Sequence, residues 1–307
     1  MRCCAIVNPA AGQGRVKRVW PKLLPEIRAT TTELVVRKTN APGEATTLTR
    51  GAVQETYDRI LAVGGDGTVH EVVNGYFRPD GTSLSPAPPL VPLPCGSGTD
   101  FNRMLDGKTG VDAVSYLRSG RVRPVDLLRL EHTGRDGKSA TRYAHNIVSL
   151  GLSSAVVRAV RRGRPSLTGR FHYLSAAVRI LFTEAPAEVT VTLDNEVVRE
   201  GPVRLVAVAN GHSFGAGIKI APNAVVDDGL LDLTILRDTS VFRLLCSVPR
   251  FYTGTLASLD GISTHRARRT TIRPVSNEPV WVEADGELIG QLPVTVTVVP
   301  SALRVQW

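Results

Sequence analysis

The segment Arg59–Tyr76, RILAVGGDGTVHEVVNGY, sets a carboxylate inside a loop shaped to receive phosphate. An apolar run ends in Gly64-Gly65-Asp66-Gly67-Thr68, and Val69, Val72, Val73 and Tyr76 then share one face of a helix. Glycines at a strand-to-helix turn let the backbone approach a ligand and leave amide N–H groups for it. The field at the helix N-terminus favours an anion in the same place. The loop is neither a Walker A loop nor a dinucleotide fingerprint, for the chain completes neither pattern. Asp66 sets it apart. A carboxylate beside phosphate is repelled unless a metal ion or a transferable proton justifies it. Two further turns have similar character: Val7-Asn8-Pro9-Ala10-Ala11-Gly12-Gln13-Gly14-Arg15 and Pro94-Cys95-Gly96-Ser97-Gly98-Thr99-Asp100-Phe101. Parallel strands would bring all three loops to the carboxyl edge of one sheet, where α/β ligands bind.

The elements that must position these loops alternate over the first 125 residues. Cys3–Val7, Glu33–Arg37, Arg59–Val63 and Leu90–Leu93 read as strands. Gly14–Ile27, Gly43–Glu55, Val69–Phe77 and a stretch to about Ser119 read as helices, with Pro21 an obstacle inside the first. Such alternation implies βαβ units and a mostly parallel sheet. Pro79–Pro89 is a loop. Beyond Pro124 strand-like runs dominate: Tyr143–Leu150, Glu188–Leu193, Val203–Ala209, Leu231–Leu236, Val280–Ala284 and Val294–Val299. Two apolar helical patterns interrupt them, one at Phe171, Leu174, Val178, Leu181 and Phe182 and one at Val241–Phe251. A strand-rich second domain of this kind is an antiparallel sandwich or barrel.

A chain of 307 residues, 42% hydrophobic and 21% charged, has material for two cores. No run approaches the ~18 to 20 apolar residues of a membrane span. Met1–Arg2 precedes an apolar run too short for a signal peptide, so a cytoplasmic address is expected. Cys3, Cys4, Cys95 and Cys246 show no metal or disulfide spacing and read as small buried hydrophobes. His70, His132, His145, His172, His212 and His265 form no metal-binding pattern. The formal charge of +9 suits an anionic partner. An anionic membrane surface and a merely solvated arginine-rich exterior both agree with it, and nucleic acid is not expected, since no recognised motif accompanies the charge. Arg158, Arg161, Arg162, Arg164 and Arg170 could supply an anionic-lipid patch or simply a solvated helix face.

Taken in order, VNPAAGQG, GGDGTVHEVVNG and PLPCGSGTDFNR resemble the bacterial diacylglycerol-kinase-like lipid kinases, to which sphingosine and ceramide kinases are related. The resemblance continues through NIVSLG at Asn146–Gly151 and VANGHSFGAGIKIAPNAVVDDGLLDLTIL at Val208–Leu236. It ends with ADGELIGQLPVTVTVVPSALRV at Ala284–Val305, and so covers essentially the whole chain. It implies a phosphofructokinase- and NAD-kinase-like α/β nucleotide-binding domain over residues 1–125, completed by a returning strand at 302–307. It implies also a β-sandwich lipid-substrate domain over 126–301, with the active site in the cleft between the two.

The same resemblance implies site residues. ATP would meet Asn8, Pro9, Ala10, Ala11, Gly12, Thr39, Gly65, Asp66, Gly67, Thr68, Val69, His70, Glu71 and Ser97. Asp66, Asp100 and Asp126 resemble the family's aspartate network around magnesium and its waters. Asp228 resembles the side-chain ligand of a structural magnesium, helped by carbonyls near Val225 and Leu230, although an Asx turn before Gly229 would read the same. Asp285 and Glu287 lie in an Asp-Gly-Glu motif that supplies an acid/base, Glu287 being preferred for its reach and Asp66 standing third. The third loop departs from the family's Gly-Thr-Gly-Asn-Asp-Phe-Ala-Arg by placing Ser97, Thr99 and Asn102 at its threonine, asparagine and alanine. Ser97 keeps the hydroxyl, Thr99 loses an amide, and every carboxylate is intact. The function implied is magnesium-dependent transfer of a phosphoryl group from ATP, as co-substrate, to a hydroxyl of a membrane lipid, by a protein peripheral to the inner face of the membrane. The alternatives are an NAD-kinase-like or other phosphofructokinase-like kinase, opposed by the Asn-Pro loop and the Asp-Gly-Glu motif, and a catalytically silent regulator, opposed by the carboxylates. The acceptor lipid stays open, as does the oligomeric state, a homodimer included.

Overall fold

The structure, a computed structural model, describes residues 1–96, 100–105, 107–134, 137–162, 179–215 and 217–307. The chain forms two compact units, Met1–Leu127 with Ser301–Trp307, and Leu128–Pro300. The sequence reading puts the divide at 125/126, and the resemblance puts the returning strand at 302–307.

In the first unit β1 (Arg2–Val7) pairs in parallel with β2 (Glu33–Lys38) and β3 (Arg59–Gly64), and β3 pairs in parallel with β4 (Leu90–Pro94). The end of β14 (Glu287–Gln306) adds a further parallel contact through Val305 and Leu90. Both faces of these strands are covered, since successive residues Cys3, Cys4, Ala5 and Ile6 are all fully buried. One face takes α1 (Ala11–Arg28), whose Val16, Trp20, Leu23 and Ile27 recur at helical spacing and pack on Ala5, Val7, Leu61, Val63 and Leu93. Pro21 and Pro25 sit on its exposed side and do not end it. A proline inside a helix costs about 3 kcal/mol, which the buried stripe offsets. Further along the chain come α2 (Glu44–Val53), α3 (Asp66–Asn74), α4 (Asp100–Leu105) and α5 (Ser115–Ser119). The start of α3 lies before the Val69 expected from periodicity, because extended Gly65 (φ −108°, ψ −170°) caps it and Asp66 fills its first turn.

The second unit is antiparallel. Strand β7 (Ile147–Gly151) pairs with β9 (Glu196–Ala209), β9 with β8 (Ala187–Leu193), and β8 with β12 (Arg269–Pro274). Strand β12 then pairs with β14, β14 with β13 (Trp281–Ala284), and β13 with β7, so the circuit closes. The expected sandwich is therefore barrel-like. The long strands account for this: β9 gives its first half to β8 and its second half to β7 and to β10 (Leu231–Arg237). Inside lies an aliphatic core that includes Val148, Val191, Val206, Leu233, Ile272, Val282 and Val296. Strands β5 (Val122–Gly134), β6 (Ser139–Ala144) and β11 (Ile262–Ala267) complete the strand set among the described residues, with helices α6 (Leu152–Arg162) and α7 (Val241–Thr253). The run Tyr143–Leu150, read from sequence as one strand, is broken at His145–Asn146. Most of the apolar stripe that begins at Phe171, with Arg164 and Arg170 of the basic segment, lies outside the described residues. No helix among the described residues is long and apolar enough to cross a membrane.

Candidate active site

The three glycine-bearing loops of the first unit meet through glycine itself. A side-chain carbon on Gly96 would lie 2.6 Å from Gly65 Cα, and one on Gly12 would lie 3.1 Å from Gly96 Cα. Gly64 carbonyl oxygen accepts from Cys95 N at 2.7 Å and from Gly96 N at 3.0 Å, which locks the third loop onto the second. Asn8 ties in the first: its Nδ2 donates to Thr68 Oγ1 and its Oδ1 accepts from Ala10 N, each at 3.1 Å. Gly12, Gln13 and Gly14 then turn with positive φ before the helix runs regularly. Pro9 and Ala11 are partly buried and Ala10 is exposed on this loop. Thr39, at the end of β2, is half-buried and donates its N–H to Val7 O at 2.9 Å. The result is a backbone-lined cradle that a Cβ would fill.

Asp66 stands half-buried at the N-terminus of α3, after Gly65 and before Gly67. Its Oδ2 accepts from Asp100 N at 3.0 Å, so the carboxylates of the second and third loops lie on adjoining backbone. Asp100 is 5% exposed, heads α4 and is ion-paired with Arg103. Asp126 is fully buried on β5, where its Oδ1 accepts from Ser301 N at 2.7 Å and anchors the returning strand. Thr68, Val69 and His70 are buried, so toward a ligand they offer the helix N-terminus rather than side chains. Glu71 is occupied otherwise: its two oxygens accept from Gly43 N at 2.8 Å and Ala45 N at 3.1 Å and cap α2. Ser97 lies outside the described residues.

In the second unit Ala284-Asp285-Gly286-Glu287 is a hairpin turn, with φ of 50° at Asp285 and 83° at Gly286. Two successive positive φ values define the type I′ turn that Asp-Gly favours, so the two acids do not lie on one strand face as a regular strand would place them. The Asp285 side chain is fully buried. Its Oδ1 accepts from Asn146 N and Ile147 N at 3.0 Å, and its Oδ2 from His145 N at 3.1 Å and faces His145 Nδ1 at 2.8 Å. These bonds break the strand between β6 and β7. Glu287, at the start of β14, is only partly buried. Beneath the turn lies Glu283, which sequence reasoning missed. It is 2% exposed, accepts from Gly286 N at 2.8 Å and from Ser149 Oγ, and burial pushes it up to about 7. Its signal was the period of two, Glu283-Ala284-Asp285, on a strand otherwise buried.

Asp228 Oδ1 accepts from Leu230 N at 3.0 Å, the Asx turn before Gly229, and Oδ2 is paired with Arg266. Arg266 Nε also lies 3.6 Å from Asp232 Oδ1, and burial raises the Asp232 pKa above the ordinary carboxylate range. Val225 is 46% exposed nearby in sequence. Two carboxylates and chain carbonyls are a hard-cation donor set, here facing a guanidinium. In the first unit, the carboxylates of Asp66 and Asp100, on adjoining backbone, are likewise oxygen donors of the kind a hard cation takes.

The family model described as the diacylglycerol kinase catalytic domain matches residues 2–130. The model described as the YegS C-terminal NAD kinase beta sandwich-like domain matches residues 146–307. A diacylglycerol kinase of Mycobacterium tuberculosis is 28% identical over 305 residues, covering 98% of this chain and 93% of its own. A Xanthomonas oryzae protein named "Probable lipid kinase YegS-like" is 30% identical over 277 residues, covering 89% of this chain and 86% of its own. A crystal structure of a candidate diacylglycerol kinase from Bacillus anthracis superposes with a TM-score of 0.77 at 25% identity, covering 100% of this chain and 96% of that one. Yeast NADH kinase, at a TM-score of 0.54 and 13% identity over 100% of this chain and 82% of its own, shares the fold.

Proposed function

The chain belongs to the bacterial diacylglycerol-kinase-like lipid kinases, and on that footing we propose that it transfers the γ-phosphoryl group of ATP to a hydroxyl of a membrane lipid. The observation that carries this reading is the contact of Gly12, Gly96 and Gly65 beside Asp66. Backbone amides of that cradle neutralise phosphate charge, and Asn8 holds the first loop in register through Thr68. Phosphoryl transfer needs positioning and charge neutralisation more than covalent help. Magnesium, held by Asp66 and Asp100 with Asp126 completing the acidic set, would supply charge compensation on the phosphates when bound. Glu287, the more accessible acid of the Asp-Gly-Glu turn, takes the proton from the acceptor hydroxyl. Asp285 serves as a positioning residue, because its oxygens are spent on the backbone of His145–Ile147.

The decisive test combines labelled ATP with diacylglycerol, sphingoid base, ceramide and phosphatidylglycerol, products being resolved by mass. Phosphorylation of one of them is expected, with Asp66→Asn inactive and its folding stability within about 1 kcal/mol of the parent. Near-normal turnover by Asp66→Asn would sink the assignment.

A further inference from the structure

Among the described residues, helix α7, Val241–Thr253, is held to the second unit by one edge. Leu244 is buried, and Phe251 packs on the cluster formed by Ile147, Leu205, Ala207 and Ile220. Much of the remaining circumference is apolar and uncovered: Phe242 is 76% exposed, Tyr252 46%, Val248 44% and Leu245 40%. These are four of the ten large hydrophobic side chains exposed among the described residues, gathered on one short helix. At 3.6 residues per turn, Val248, Tyr252, Leu245, Pro249 and Phe242 fall on one continuous arc, while Arg243 and Arg250, seven residues apart, share a stripe about 80° to 100° beyond Phe242, past Cys246. The helix VFRLLCSVPRFYT contains no Asp or Glu.

We propose that this face is a membrane-docking surface, which lays α7 into the interface of an anionic bilayer. Charge complementarity selects that occupant: an apolar arc beside arginines, with no carboxylate on the helix, matches acyl chains beneath phosphate headgroups. Phe242 and Leu245 enter the acyl boundary, Tyr252 suits its polar edge, and Arg243 and Arg250 reach the headgroups along their aliphatic stems. The net charge of +9 favours approach to the same surface. The inference deepens the lipid-kinase reading, which supplies the need for a bilayer, but it is read by binding alone.

The full chain is mixed with vesicles of phosphatidylcholine, with and without phosphatidylglycerol. Phe242→Asp with Leu245→Asp should lower partition into the anionic vesicles about tenfold or more, at an unchanged melting temperature. Arg243→Glu with Arg250→Glu should lower it only where phosphatidylglycerol is present. Cys246 gives a readout that needs no apolar substitution. It is the exposed thiol, whereas Cys3, Cys4 and Cys95 are buried and pushed up to about 11. A polarity-sensitive dye attached there should shift to the blue on anionic vesicles. Undiminished binding by the Asp variants, an unshifted dye, or a dimer that the Asp variants split while vesicle binding persists would each overturn the docking face. Loss of vesicle binding in a chain that phosphorylates no lipid would instead leave the face standing and remove the kinase reading.

Discussion

Burial lifts Glu283 to about 7, so the carboxyl that receives Gly286 N changes charge near neutral pH. The folded chain holds this proton more tightly than the unfolded chain, whose glutamate titrates near 4.5. Stability from this group is therefore complete below pH ~4.5, falls as pH rises toward ~7 and levels off above, a drop of roughly 3 kcal/mol at most. Glu283→Gln should flatten that slope between pH 5 and 8 in denaturant midpoints, since Ser149 Oγ can accept from the amide and donate its own O–H to Ser153 Oγ at 2.7 Å. A slope left unchanged would place the titrating group elsewhere. The two acids of the turn should part company in the same way. Asp285→Asn presents one acceptor to three amides and an imidazole and should cost about 2 to 4 kcal/mol of stability. Glu287→Gln should keep its stability and nucleotide affinity and lose ~10² to 10⁴ in kcat. Equal melts for the two variants, or normal kcat for Glu287→Gln, would reverse these roles. The acids themselves were legible only through the resemblance of the Asp-Gly-Glu motif, with Glu287 preferred as base for its reach. The hairpin turn and the bonds that bury Asp285 were not legible, since they depend on Asn146 and His145, distant in the chain.

At the scale of elements, the closeness of the loops can be tested with two glycines. Gly96→Ala must drive a methyl to within 2.6 Å of Gly65 Cα, with backbone rather than a mobile side chain in the way. Loss of ATP binding and at least ~2 kcal/mol of stability is expected. Gly14→Ala meets nothing within 4 Å and pays only for its φ of 80°, about 1 kcal/mol, with ATP binding retained. Calorimetry on both decides it, and equal effects would mean the loops do not touch. Strands β1, β3 and β4 were readable because each is a short run of consecutive apolar residues, as a strand covered on both faces must be. Strand β5 escaped, its Leu128 and Leu130 alternating with Arg129 and Glu131 after a polar start. Strands β11 and β12 escaped too, being mostly threonine, arginine, serine and histidine with few buried positions. Cys246 corrects the reading of all four cysteines as buried. Arg158, which the sequence leaves open between an anionic-lipid patch and a solvated helix face, is paired with Glu184 at 2.8 Å.

For the whole molecule, the first unit is assembled from both ends of the sequence. Leu303 and Val305 are buried, and Gln306 Nε2 donates to Tyr116 O at 2.8 Å and Gly120 O at 3.1 Å. Trp307 exchanges backbone bonds with Arg121 and lies under the Arg123 guanidinium at 5.0 Å. Deleting residues 302–307 should therefore lower the melting of the first unit and abolish ATP binding while the second unit, with its own core, still melts cooperatively. A deletion variant that binds ATP normally would make the return strand ornamental. In the sequence, the second half differs from the first by a change of period from helical to alternating.

The same strand sets a timetable on the ribosome. Residues up to Leu127 emerge with their sheet one strand short, and Ser301 follows only after the entire second unit has been made. At common elongation rates that interval is on the order of ten to thirty seconds. Throughout it, β4 presents an open parallel edge that the chain's own last residues will close. Nascent chains are thus exposed to strand exchange with one another at the stage when polysomes crowd them, and a prematurely ended copy keeps that edge permanently open to chaperones and proteases.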